Sequence, residues 1–390
     1  MLLTGTMSTQ LGQWTQQVGQ SWLVYQLTKS TLQLGLVSFA TGFAMMVFSP
    51  VGGALADRMD RRKLMLISQA GLMAVSIALA VLVASHHIRT WQIYITSVVS
   101  GLLFAINGPS RQSVIYALVG KQDLANAIAL NSIGQNLARV AGPALGGLLL
   151  ATAGVPGVYS FQAGSYIVAM GTLMTLRQDL KPDGQRRETF AHSLTDGLRY
   201  ARRESAILML LLIALTATFF GMGYSQLMPA YAAKVLNLTT SDSGSGYGFL
   251  MVSVGAGAIV GSLLVVVMGQ FHGQGKLLLG AVAVVGIMLL ALGLNQSPVI
   301  AVILLAGVGM GTSLWMALNN TLLQIAVSNE YRGRVMSLYF LTFGFTSFGG
   351  QLGGAVAQRI GVGYALAIMG GLLTVMAIAV ALGSPRLRRM

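Results

Sequence analysis

The sequence predicts an all-α integral membrane protein with twelve spanning helices in two pseudo-symmetric six-helix bundles. Three observations predict it. The 390 residues are 54% hydrophobic and only 9% charged, with a mean hydropathy of +0.71, far too apolar for an ordinary soluble domain. The apolar residues fall into runs long enough to cross a bilayer core of about 30 Å, which takes roughly 20 residues of helix. The lysines and arginines gather in alternate loops, as cations held on the cytoplasmic side do.

In chain order the candidate spans are residues 6–27, 32–56, 64–84, 91–118, 124–153 and 158–176, then 207–235, 247–269, 276–294, 299–327, 335–360 and 362–382. An even number of crossings puts both termini on one side. The segments assigned to the cytoplasm hold Arg58, Arg61, Arg62, Lys63, Arg111, Lys121, the cations of the central linker, Lys276, Arg332, Arg334, Arg386, Arg388 and Arg389. The outer loops hold only Lys29, Arg89, Lys234 and Arg359. The expectation is a multi-pass protein of the inner (cytoplasmic) membrane with both ends inside.

Residues 1–176 are expected to form the N-terminal bundle and 207–383 the C-terminal one, with 384–390 a basic cytoplasmic tail. The intervening 177–206 is polar, a cytoplasmic linker in which Phe190, Leu194, Leu198 and Ala201 recur at helical spacing. That spacing predicts a short amphipathic helix on the membrane surface. The halves repeat weakly. Ala117 through Gly147 parallels Ala326 through Gly354 at offsets of 209 to 207 residues, and Gly53-Ala54-Leu55 matches Gly261-Ser262-Leu263. Two parallel bundles with substrate held between them near the midplane account for such a repeat.

The most charged turn between apolar runs is Gly53-Ala54-Leu55-Ala56-Asp57-Arg58-Met59-Asp60-Arg61-Arg62-Lys63-Leu64-Met65. Asp57 falls where the apolar run ends, within reach of Arg58, Arg61 and Arg62 or of a helix N-terminus, and Gly53 and Ala54 allow another backbone to approach. The stretch resembles the loop 2-3 signature of the major facilitator superfamily, G-x-L-A-D-R-x-G-R-R-x-x-L. It departs at Asp60, where a glycine is usual, and at Met65, where a leucine is usual. Asp60 adds a negative charge to the turn and shifts its ion pairing. A loop that only sets topology is the plainer reading.

In the fifth span Asn131, Gln135, Arg139, Gly142 and Gly146 share about 80° of arc at about 100° per residue. The run Gly142-Pro143-Ala144-Leu145-Gly146-Gly147 resembles the G-P-x-x-G-G motif of the superfamily's efflux branch, with Ala138 where an upstream glycine is expected. Pro143 frees a carbonyl and the glycines allow close, sliding packing at the contact between halves; simple helix packing is the alternative. Arg139 is the only formal charge well inside a span, about 22 Å from the start of its helix. The carboxylates Asp57, Asp60, Asp123, Asp179, Asp183, Glu188, Asp196, Glu204, Asp242 and Glu330 all map to loops or helix ends. Arg139 therefore meets either an acidic or polar substrate or backbone carbonyls and amide side chains.

The first span carries Thr9, Gln13, Gln16, Gln17 and Gln20 on one face, a stripe that must line a cavity or a helix contact. Trp14 stands beside it, placed to stack on a substrate or to pack. Matching positions in the second half are Tyr224 and Gln226 in the seventh span and Trp315, Asn319, Asn320 and Gln324 in the tenth. Pro229 should bend the seventh span near its outer end. Asn107, Thr342 and Thr346 are further candidates, and Glu330 faces the cations of Arg332-Gly333-Arg334.

Other chemistry is excluded. There is no cysteine, so disulfides and thiolate-ligated metals are out, and adjacent His86 and His87 without carboxylates make a poor metal site. No phosphate-binding G-x-x-x-x-G-K-[ST] pattern occurs. The net charge of +14 reflects topology and does not call for nucleic acid. Met1-Leu2-Leu3-Thr4-Gly5 has no basic stretch, so it does not read as a cleaved signal peptide; beside the family, the N-terminal segment is several residues short.

The whole chain is similar to the superfamily. Ser21 through Thr28, Ala56-Asp57-Arg58, Asn107 through Gln112 and Leu124 through Ala127 with Gly142-Pro143 look most like bacterial enterobactin-type siderophore exporters and macrolide efflux proteins. The resemblance implies a non-enzymatic exporter of small organic molecules by alternating access, exchanged for protons, with the Asp57 loop latching the cytoplasmic side. Its partners would be a small-molecule substrate, the bilayer and protons; no cofactor or metal is expected. No carboxylate or histidine lies mid-span, so proton coupling falls to Asp57 and Asp123. Uncoupled or exchange transport of organic anions selected by Arg139, and a lipid-handling role, are the alternatives.

Overall fold

The computed structural model describes residues 2–118, 124–175, 190–238, 245–268, 273–328 and 331–389. These form fifteen helices and, among the described residues, no strand. In order they are α1 (Leu2–Thr28), α2 (Thr31–Arg58), α3 (Arg61–Ala84), α4 (Thr90–Leu118), α5 (Leu124–Met174), α6 (Phe190–Arg203), α7 (Ser205–Phe219), α8 (Met228–Lys234), α9 (Ser245–Met268), α10 (Gln274–Leu294), α11 (Pro298–Ala326), α12 (Arg332–Thr342), α13 (Phe345–Ile360), α14 (Val362–Gly383) and α15 (Pro385–Arg389). Nine stretches among the described residues are long and apolar enough to cross a membrane. The polar first span is not one of them, and the fifth and sixth count as a single stretch, Leu137–Met174.

The fifth and sixth spans are two helical limbs, together α5, that meet without a loop at a non-helical kink at Gly154 (φ 64, ψ −169). Glycine adopts that conformation without a Cβ penalty, and Pro156 has no N–H to return to residue 152. The seventh span breaks earlier than Pro229 suggested. α7 stops at Phe219 and a 3₁₀ turn covers Gly223–Leu227. Pro229 instead sits in the first turn of α8, where its missing N–H is no loss. The break comes with Gly223, whose Cβ would stand 2.9 Å from Gly349 C. The eleventh span is two helices, α12 and α13, parted at Phe343 and Gly344.

The chain divides into two compact units. The first comprises residues 1–29, 37–186 and 241–252. In it α1 lies along both limbs of α5. A Cβ on Gly12 would stand 2.8 Å from Ser165 Cβ and one on Gly19 2.7 Å from Val158 Cγ1, while on the other limb one on Gly146 would stand 2.8 Å from Thr15 O. The close approach lets hydroxyls bridge the helices: Ser8 Oγ donates to Ser165 O at 3.1 Å and Thr15 Oγ1 to Gly142 O at 3.3 Å. Ser76 Oγ of α3 donates to Gln162 Oε1 of α5 at 2.9 Å, and Asn107 Nδ2 of α4 to Ser68 Oγ at 2.9 Å. Trp22 stacks on Tyr247, with centroids 5.9 Å apart and planes 15° from parallel.

The second unit comprises residues 30–36, 187–240 and 253–390. The start of α2 belongs here: Thr31 Oγ1 donates to Gly354 O at 3.0 Å, and a Cβ on Gly35 would stand 2.6 Å from Gln351 Cα. α10 and α14 meet through glycine, since a Cβ on Gly286 would come 2.8 Å from Gly370 O. Tyr231 OH of α8 donates to Leu292 O at 2.8 Å, tying α8 to the end of α10.

Glycine substitutions test the α1–α5 packing. Gly12→Ala, forced against Ser165, should lower stability by about 1–3 kcal/mol. Gly164→Ala, whose Cβ meets nothing within 4 Å, should leave the thermal unfolding midpoint in detergent unchanged or slightly raised. Equal midpoints for the two variants would refute the packing described.

Candidate functional site

The charged turn lies between α2 and α3. Asp60 caps α3, its carboxylate accepting from Arg62 N–H at 2.9 Å, which satisfies one of the orphan donors of a helix start. Arg61 is 8% exposed. Arg62 Nη2 donates to Met174 O at 2.7 Å, holding the start of α3 to the end of α5. Gly53 is open, with nothing within 4 Å of an added Cβ; the close backbone approach falls one residue earlier, at Gly52 against Ala105 of α4. Asp57 and Arg58 end α2, but their side chains lie outside the described residues, as does Asp123.

The polar stripe of α1 is covered by α4 and α5. Gln20 Nε2 donates to Ser97 Oγ of α4 at 2.8 Å, and its carbonyl accepts from Gln16 Nε2 at 2.6 Å. Gln13 and Gln17 are half-buried. The Arg139 guanidinium lies over the half-buried Trp14, 5.4 Å from the ring centre. Asn131 is buried, its Oδ1 without a hydrogen-bond partner among the described residues, and Gln135 is half-buried. Two residues not expected at the site join it. With the Gln10 amide oriented to satisfy both its ends, its oxygen accepts from Arg111 Nη1 at 3.1 Å and Nη2 at 3.2 Å, and its nitrogen donates to Gln13 Oε1 at 3.1 Å. The signal was available for Gln10, which continues the 13, 17, 20 stripe at helical spacing.

Gly142 and Gly146 of α5 face α1 at Trp14, Thr15 and Val18, while Gly147 faces Gly248 of α9; Pro143 lies inside the helix. These contacts are all within the first unit.

In the second unit the candidates are enclosed. Tyr224 and Gln226 are buried, with Gln226 Cγ 2.7 Å from the Cβ position of Gly350. Trp315 and Asn319 of α11 have 0% exposure. Trp315 Nε1, both amide atoms of Asn319 and Thr312 Oγ1 are buried without hydrogen-bond partners among the described residues. These three residues recur at i, i+3 and i+7, a single helix face. Asn320 is half-buried and accepts from Gln324 Nε2. Thr342 Oγ1 donates to Tyr339 O at 2.6 Å.

Glu330 lies outside the described residues, and Arg334 pairs with Asp196 of α6, Nη1 to Oδ2 at 3.5 Å. Asp196 also holds Arg199 at 3.3 Å. Tyr200 stacks on Tyr331 with centroids 4.3 Å apart and planes 1° from parallel, and a Cβ on Gly197 would stand 3.0 Å from Arg334 O. That face of α6 is turned to α12 and its entry, while Leu198, on the face for which the sequence suggested a bilayer surface, is exposed.

The profile of the family described as transmembrane secretion effector matches residues 1–389. The staphyloferrin A transporter of Staphylococcus aureus (strain NCTC 8325 / PS 47) is 26% identical, over 92% of this chain and 89% of that protein. The enterobactin exporter EntS of Escherichia coli (strain UTI89 / UPEC) is 29% identical, over 81% of this chain and 74% of its own length. Among solved structures, a bacterial homologue of the human lysosomal transporter Spinster, inward-facing and unoccupied, superposes with a TM-score of 0.72 at 16% identity, covering 99% of this chain and 96% of that one.

Two substitutions check the local geometry. Asp60→Ala should cost about 1 kcal/mol of stability, seen as a lower unfolding midpoint, while Asp60→Asn, also a good cap, should hold it. Asp196→Ala should expose α6, so that trypsin cleaves after Arg199 and Arg202 several-fold faster than in the wild type.

Proposed function

The chain belongs to the transmembrane secretion effector family of major facilitator transporters, and from that premise we propose that it exports small organic molecules, of drug or siderophore kind, across the bacterial cytoplasmic membrane by alternating access. The carrying observation is the hydrogen-bonded polar wall of α1 and α4, with Arg139 of α5 lying over Trp14 beside it. A polar wall inside a membrane protein is expensive unless its groups meet one another, water or a ligand. The relatives named for staphyloferrin A transport and enterobactin export support a small organic cargo.

In this reading twelve spans cross the membrane with both termini in the cytoplasm, as the cation distribution suggests. The turn from Gly53 to Arg62, with Asp57 at its head, latches the cytoplasmic side. Gly142, Pro143, Gly146 and Gly147 let α5 slide against its neighbours as the protein alternates. Gln13, Trp14, Gln17, Gln20, Asn131, Gln135 and Arg139 are the residues that the first unit offers to the cargo, and Tyr224, Gln226, Trp315, Asn319 and Asn320 those of the second, the enclosed ones reached only when the protein opens. Protons drive the cycle through Asp57 and Asp123.

One observation favours a second reading, exchange or uncoupled transport of organic anions. No carboxylate or histidine falls mid-span in the sequence, so the proton carrier would have to sit at a helix end.

Everted vesicles decide between them. Uptake of a fluorescent cation or a catecholate anion should require the pH gradient and fall at least tenfold in Asp57→Asn. Uptake that survives gradient collapse and the Asp57→Asn change would remove the proton-linked mechanism in favour of exchange.

A further inference from the structure

α6 has a packed side and a cationic side. With Leu198 set at zero and about 100° per residue, Tyr200 and Gly197 fall at about 200° and 260°, and these meet Tyr331 and Arg334 at the entry to α12. Ala201, at about 300°, is buried. Arg202, Arg199 and Arg203 fall at about 40°, 100° and 140°, and all three are exposed. Leu198, at the edge of the same side, is 38% exposed.

The next helix fixes the depth of this side. α6 ends at Arg203 and α7 begins at Ser205, the first residue of a stretch, Ser205–Lys234, long and apolar enough to cross a membrane. Arg203 and Arg202 are therefore no more than about 7 and 11 Å of chain from the start of that stretch, beside the headgroup layer that flanks the apolar core. The carboxylates at hand do not neutralise them. Asp196 is held by Arg334 at 3.5 Å as well as by Arg199 at 3.3 Å, and Glu204 is exposed one residue past the helix. Four arginines against two carboxylates leave this neighbourhood positive among the described residues.

We propose that Arg199, Arg202 and Arg203 form a docking surface for the phosphate groups of anionic phospholipids in the adjacent leaflet, with Leu198 set between the headgroups. In the orientation given above that leaflet is the cytoplasmic one. A guanidinium fork matches phosphate oxygens two donors at a time, cations beside an anionic leaflet are each drawn to it, and an apolar side chain on the same face adds burial at the acyl boundary. The surface is separate from the cargo path. Because Asp196 of the same helix holds Arg334 of α12, lipid charge acts on a segment tied into the second unit.

The full-length chain suits the test, since it has no cysteine. One introduced by Thr195→Cys, at about 60° on the cationic side, carries an environment-sensitive fluorophore. Titrated in neutral detergent, the fluorophore should respond to phosphatidylglycerol at a concentration at least about fivefold lower than to phosphatidylcholine, and added salt should erase the difference. Arg202→Gln combined with Arg203→Gln should bring the two lipids within about twofold, while lysine at both positions should keep most of the preference. Leu198→Gln should weaken both lipids together, and Arg89→Gln, in the loop between α3 and α4, should change nothing. If the double glutamine variant fails to fold, Arg202→Gln alone should lower the preference at least about twofold. An equal response to the two lipids, or a preference that survives the glutamines, would overturn the surface. Inorganic phosphate or an acidic peptide that reproduces the response without lipid would also overturn it, reassigning the arginines to a soluble anion. Cargo is not read in these titrations, so a failed exporter reading would leave the surface standing, and a failed surface would leave the exporter reading standing.

Discussion

A helix with six glutamines along 27 residues cannot turn its polar face to lipid, and the first unit is arranged around that constraint. Hydrocarbon offers no hydrogen bonds, so every amide on α1 needs a protein partner or a wetted cavity. The bend at Gly154 brings both limbs of α5 against α1. Glycines at 12, 19, 142 and 146 remove the side chains that would hold the helices apart. α4 then supplies Ser97 to one end of the stripe and Arg111 to the other. Apolar burial drives little helix association in a bilayer, so glycine contacts and hydroxyl-to-carbonyl bonds such as Ser8 to Ser165 carry it instead.

The second unit encloses a row of polar side chains on one helix. Thr312, Trp315 and Asn319 share one face of α11 and are sealed in. A buried amide with no partner is costly, and three polar groups in a row mark a face that gains when its surroundings open.

Much of this was legible in the chain. Hydropathy located the apolar stretches, nine of them long enough to cross among the described residues, because a bilayer imposes one length on every crossing. Helical spacing located the α1 stripe and the α5 face, because position on a helix follows from residue number alone. What escaped was pairing between distant segments. Nothing local says that Arg111 meets Gln10, that Asp196 takes Arg334, or that Gly52 and not Gly53 receives Ala105. Pro229 looked like a kink because proline breaks helix interiors, but the glycine at 223, packed on Gly349, placed the break first. Asp60 looked like a disturbance of an ion-pair pattern, while the start of α3 at Arg61 makes it an N-cap, a role readable from an aspartate just before a helix.

Each compact unit borrows a segment from the other half of the chain, residues 30–36 in one case and 241–252 in the other. A gene cut in the linker would therefore not encode two self-sufficient polypeptides. The N-terminal product would carry Thr31 and Gly35 without Gly354 and Gln351 to receive them, and would lack the Gly248 that fits Gly147 and the Tyr247 that stacks on Trp22. Separately translated halves could complement one another only by co-assembly, and truncation or shuffling at this boundary discards structure on both sides of it.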